Sequence, residues 1–143
     1  MKRSMRVLAI ALTGLVAAVG VAPSVTAGQA LQWTPAPVST QQAVVRVMNA
    51  RAADSGAAEH SPGCFTVLLL TGHKNIAAVS LRPKANVKAC GTPTSVGIQA
   101  FKKSGKTWVH VGGTTGPART PCTYTKAATA GIKALLKSSG LCG

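Results

Sequence analysis

Acidic residues are almost missing from this sequence: Asp54 and Glu59 are the only two among 143 residues, against 16 Lys and Arg. Glycosidase-type catalysis needs two carboxylates facing each other across a substrate, and two acids beside one polar loop argue against it. Aromatics are scarce too, only Trp33, Phe65, Phe101, Trp108 and Tyr124, so any base-stacking surface has little to draw on. There is no G-x-S-x-G nucleophile elbow. No two of the four cysteines are close enough for a zinc knuckle. The chain has no internal repeat and no low-complexity tract, and beyond its first 30 residues no apolar run long enough for a membrane helix. Nothing calls for a cofactor or a metal.

The first stretch that is present reads as an export signal. Lys2, Arg3 and Arg6 precede an apolar segment, Val7 to Val21, that is short for a bilayer span. Pro23 then leads into the small-residue pattern Val25-Thr26-Ala27. This is the layout of a secretory signal peptide, residues 1–27, cleaved after Ala27 or, as second choice, Ala30. An uncleaved anchor is the competing reading, disfavoured by the short apolar segment and the cleavage pattern. Cleavage after Ala27 leaves 116 residues, enough for one domain with a modest core. The expected product is a secreted, extracellular monomer.

Cys64, Cys90, Cys122 and Cys142 all fall in the mature part, and an even count in an exported chain predicts two disulfides. Of the three connectivities, Cys64–Cys90 with Cys122–Cys142 is preferred because each closes a local loop. Once Lys2, Arg3 and Arg6 are gone, 13 basic residues remain against two acids, a net charge near +11. Such a surplus attracts polyanions. It also keeps an exported protein soluble without any binding role.

In chain order, residues 28–38 read as an extended tether. Ser39 or Thr40 caps a helix running to about Ala53, with Val44, Val47, Met48 and Ala52 on one side. Asp54-Ser55-Gly56 stops it. The apolar run from Cys64 to Thr71 suits a buried strand, and Asn75 to Arg82 is its return. A loop then runs to the hairpin Val96–Gly113. Placing its turn at Ser104-Gly105 sets Lys103 opposite Lys106, Phe101 opposite Trp108 and Gln99 opposite His110, with Ala100–Val109 and Ile98–Val111 on the other, aliphatic face. A further loop reaches Cys122. Lys126 to Ser138 closes the chain as a helix, its Lys126, Lys133 and Lys137 opposite a stripe of Ala128, Ile132, Leu135 and Leu136. Gly131 weakens this helix by about 1 kcal/mol relative to Ala. Gly140 stops it with Leu141 tucking back. The expected fold over residues 39–143 is therefore α+β: a four-stranded antiparallel meander, both helices on one face, two disulfides.

Few constellations carry chemistry. Ser104-Gly105-Lys106-Thr107 ends like a P-loop, but position 100 is Ala where that motif needs Gly, and Trp108 to Val111 is strand rather than helix sequence. It is a hairpin turn. His60, His73 and His110, with a nearby Lys, offer a carboxylate-free route to RNA cleavage, in which two imidazoles exchange protons and a cation steadies the phosphorane. Isolated turn and strand histidines explain the same residues more simply. The terminal helix has a lysine face that suits a membrane surface, yet its narrow apolar stripe suits docking on a sheet better. Basic residues gather at loop ends: Lys74; Arg82, Lys84 and Lys88; Lys102, Lys103 and Lys106. Beside Phe101 and Trp108 they form a candidate binding patch.

From Val96 onward the chain resembles small exported proteins of actinomycete type. The matching pieces are Lys102-Lys103-Ser104-Gly105-Lys106, Trp108-Val109-His110-Val111-Gly112, Cys122 and Leu141-Cys142. The resemblance covers under half the chain, implies export and a Cys122–Cys142 bridge, and implies no activity. The function expected from the sequence is a non-catalytic module engaging an anionic polymer or envelope surface through Lys74, Arg82, Lys84, Lys88, Lys102, Lys103, Lys106 and Trp108. An antimicrobial or toxin-like protein is the alternative, and a small secreted ribonuclease a second one.

Overall fold

The computed structural model describes residues 31–54, 61–81, 84, 88–90 and 97–143. The segment read as an export signal, together with Glu59, His60 and Arg82, lies outside them. The ordered elements are β1 (Trp33–Pro35), α1 (Val38–Asp54), β2 (Val67–Leu70), β3 (His73–Ser80), β4 (Ile98–Ser104), β5 (Thr107–Thr114), β6 (Thr123–Tyr124) and α2 (Ala130–Ser138). Short 3-10 turns, Pro62–Cys64 and Lys88–Cys90, precede β2 and β4. The strands form one antiparallel sheet in sequence order, β1-β2-β3-β4-β5-β6.

The sheet has six strands rather than the expected four. Both additions are short edges. β1 lies in the segment read as a tether. It is held to β2 by backbone bonds from Thr71 N–H to Gln32 O (2.7 Å) and Ala36 N–H to Val67 O (3.0 Å). Pro35 and Pro37 blunt its outer side, since proline donates nothing to a ladder. β6 closes the other edge against Gly112 and Gly113. A Cβ on Gly112 would stand 2.5 Å from the Thr123 carbonyl, so only glycine lets the two strands meet there.

The helices lie on opposite faces, which overturns the expectation that both share one. Alternation along the strands separates two cores. Under α1, Ala77, Val79, Phe101 and Trp108 join Val44, Val45, Phe65 and the Cys64–Cys90 pair. Under α2, Ile76, Ala78, Ala100 and Val111 join Ile132, Leu136, Leu141 and Cys142. β3 carries four consecutive buried residues, Ile76 to Val79, as a strand covered on both sides must. The disulfides are Cys64–Cys90 and Cys122–Cys142.

The central hairpin turns one residue later than the sequence suggested. Gly105 (φ 59°) occupies the first central position, where a type II′ turn requires a left-handed residue, and Ser104↔Thr107 is the closing rung. The rungs become Lys103↔Trp108, Lys102↔Val109 and Phe101↔His110. Each side chain keeps its expected face because both strands still alternate with period two. Beyond Phe101 a bulge leaves Val111 as the extra residue, so Ala100 meets Gly112 and Gln99 meets Gly113.

α1 starts at Val38, just ahead of the expected caps. α2 is shorter than expected because Thr129 takes the capping position, its hydroxyl accepting from Ile132 N–H (3.4 Å). Thr125 holds the preceding residues in a separate turn through bonds from Ala127 and Ala128 N–H. At the far end, Leu141 N–H reaches Leu136 O (3.2 Å) and Gly140 N–H reaches Lys137 O (3.0 Å), which is a Schellman stop. Trp33 Nε1–H donates to Ser139 O (3.3 Å), fastening β1 to that stop.

Candidate functional site

Strand order sorts the basic residues by sheet end. The β2–β3 turn and the β4–β5 turn open from the same end, because Ile76↔Lys102 is the last rung before each strand reaches its turn. Lys74, Lys102, Lys103 and Lys106 therefore gather there. Lys102 shares its face with Ile76 and Val109, while Lys103 stands on the Trp108 face. Together they ring the sheet tip rather than coat one face. Lys74, Lys103 and Lys106 are exposed and Lys102 is half-buried. Strands lie about 4.8 Å apart, which sets the centres of the two turns about two strand spacings apart, comparable with the Debye length at physiological salt, about 8 Å.

Lys84 and Lys88 belong to the opposite end. Lys84 follows β3, its N–H bonded to Cys64 O (2.7 Å), and Lys88 opens the 3-10 turn carrying Cys90. They do not join the tip cluster.

The aromatic half of the expected patch is absent from the surface. Trp108 is 6% exposed and Phe101 fully buried, both beneath α1. They offer no face to a nucleobase. Phe65 is buried, and Trp33 and Tyr124 are half-buried, with Lys133 Nζ 5.3 Å from the Tyr124 ring centre.

The histidines are dispersed among the described residues. His73 opens β3 at the lysine end, whereas His110 lies inside β5 beside Phe101, ring centres 5.3 Å apart. His110 Nε2 meets Gln99 Oε1 at 2.5 Å. Since that oxygen only accepts, Nε2 carries the proton, and Nδ1 is a buried nitrogen without a hydrogen-bond partner. The His110 pKa is lowered to about 4, first by burial and then by the Arg51 charge, which the Gly112 backbone only partly offsets. Among the described residues, this imidazole, neutral at pH 7 and tied to an amide, has no second histidine beside it to complete an acid–base pair.

Around His110 the structure assembles a cleft of about 360 Å³ that sequence reasoning missed. Arg51 from the end of α1, Gln99 from β4 and His110 from β5 meet Thr115, Thr123 and Thr125 near the β6 edge. Only the Gln99–His110 pairing was legible beforehand. Arg51 arrives through helix-to-sheet packing, for which local spacing carries no signal. No group of three His, Cys, Asp or Glu side chains converges as metal ligands among the described residues. Nor is any described helix long and apolar enough to cross a membrane. No family model, curated protein or solved structure matches the chain.

Proposed function

We propose that this protein is a cationic binding module that engages an anionic polymer through the lysines at the sheet tip, without catalysis. The observation that carries this reading is the gathering of Lys74, Lys102, Lys103 and Lys106 on two neighbouring turns. A linear polyanion needs charges along a line rather than a shaped pocket, and a ring of flexible lysine stems at a rigid hairpin end supplies that. Burial of Phe101 and Trp108 favours recognition of backbone charge over recognition of bases. An envelope polymer bearing phosphate or carboxylate fits as well as a nucleic acid strand.

The test compares two probes of matched charge, an oligo-dT strand and inorganic polyphosphate. Both should bind, and both should weaken steeply as salt rises. Binding that ignores salt, or that requires bases, would remove this reading. The ribonuclease alternative receives no support from His73 and His110, which occupy separate parts of the sheet.

A further inference from the structure

Where α2 stops, a cavity of about 170 Å³ lies between Gly140-Leu141 and the sheet. Its walls are Trp33 of β1, Leu68 of β2, Ala78 of β3, Ile98 of β4 and Leu141, with Thr66 and Ser80 beside them. This is the end of the sheet away from the lysine turns, since Ser80↔Ile98 is the far rung from Ile76↔Lys102. Strand register accounts for the space. Leu68 pairs with Ala78, and Ala78 with Ala100, so two alanines stand side by side on the floor. The next position of that face on β3 carries Ile76. Short side chains leave a depth that larger ones would fill.

The walls are held from outside the cavity. Trp33 is fixed by its indole N–H on Ser139 O (3.3 Å). Leu141 donates its N–H to Leu136 O (3.2 Å) and accepts from Arg119 N–H (3.0 Å), and the next residue is tied down by Cys122–Cys142. Leu68, Ala78 and Ile98 are set by the ladder itself. A guest therefore meets surfaces already in place, which lowers the ordering cost of binding.

The lining is almost wholly apolar. A water needs about two to four polar partners, and an apolar cavity of about 150 Å³ stays dry and takes a guest the size of benzene. Trp33, Leu68 and Ile98 are only half-buried, so a guest would remove further apolar surface from water, which is favourable. Thr66 and Ala118 are exposed, which places the mouth on their side and leaves the polar end of a guest in solvent. We propose that this cavity binds the hydrocarbon end of an amphiphile, about six carbons in size, with the head group outside beside Thr66. The site stands apart from the lysine tip and does not depend on the polymer reading.

Titration of the full chain with 1-hexanol and with phenol, followed by calorimetry and methyl NMR, tests it, and 1,6-hexanediol serves as the control without an apolar end. Saturable binding of at least one monoalcohol is expected, and the tighter of the two tells a chain from a ring. The methyl signals of Leu68, Ile98 and Leu141 should shift while those of Val47, under α1, stay in place. Ala78→Val fills the floor and should weaken binding at least tenfold. Leu68→Ala widens the cavity and should move the preference towards 1-octanol, a change of size selectivity that keeps the test decisive if Ala78→Val does not fold. Four results overturn the proposal: no saturable binding, 1,6-hexanediol binding within twofold of 1-hexanol, methyl shifts confined to other parts of the molecule, or no change in size selectivity in Leu68→Ala. Binding by the tip is read with polyanions, so the two ideas fail separately.

Discussion

Replacing Lys74, Lys103 and Lys106 together by Gln removes three exposed charges from the sheet tip and leaves both cores untouched. On a single-stranded polyanion each cationic contact contributes about −0.7 to the slope of log affinity against log salt. If all three lysines engage an oligo-dT strand, the variant's slope should be shallower by about 2. Between 200 and 50 mM salt, that makes the parent's gain in affinity roughly twentyfold larger than the variant's. A matched control replaces Lys126, Lys133 and Lys137, which changes net charge equally but lies on or beside α2. Its slope should move by less than one contact's worth, about 0.7. Fluorescence anisotropy across a salt series measures both. Equal losses in the two triple variants would mean that charge acts diffusely over the whole molecule, and the tip would lose its claim to be a site.

Three further outcomes follow from the packing and the titration behaviour. Opening Cys64–Cys90 by a Cys→Ala pair releases a loop of sequence separation 26 and should cost about 3.5 kcal/mol in urea unfolding if chain entropy dominates; a loss below about 1 kcal/mol would contradict that origin. Phe101→Ala empties the middle of the α1-side core and should cost about 3–5 kcal/mol, whereas Val109→Ala on the 37% exposed rung neighbour of Lys102 should cost under about 1 kcal/mol. His110, held near pKa 4, binds its proton more readily in the unfolded chain, near 6.5. Stability is therefore full above that value and falls as the pH drops towards about 4. His110→Gln should flatten that window, and a histidine NMR titration should find the folded pKa well below 6; a value of 6 or above would refute the burial argument.

Local patterns carried the fold a long way. Val44 to Met48 marked α1, Ile132 and Leu136 marked α2, and local loop closure chose both disulfides. The period-two alternation of Ala100 and Phe101 divided the two faces correctly even though the hairpin register was displaced. What failed was long-range. A three-residue strand such as Trp33–Pro35 has too few residues to display alternation and exists because β2 needed an edge partner. Helices flanking a meander do not announce which side they choose, and the side emerged only from β3 being apolar on both faces. The lysines were legible as a tip cluster because hairpins are local, while the separation of Lys84 and Lys88 needed strand direction. The Arg51 cleft was illegible because its members come from four separate stretches of chain.

With one sheet serving as a party wall, each side of the protein has its own furnishing: α1 with Cys64–Cys90 on one, α2 with Cys122–Cys142 on the other. Substitutions on the two sides share few neighbours, so their effects should sum rather than interact. The side beneath α1, which also carries the cleft, is thus free to be redrawn for a new ligand while the α2 side keeps the chain folded.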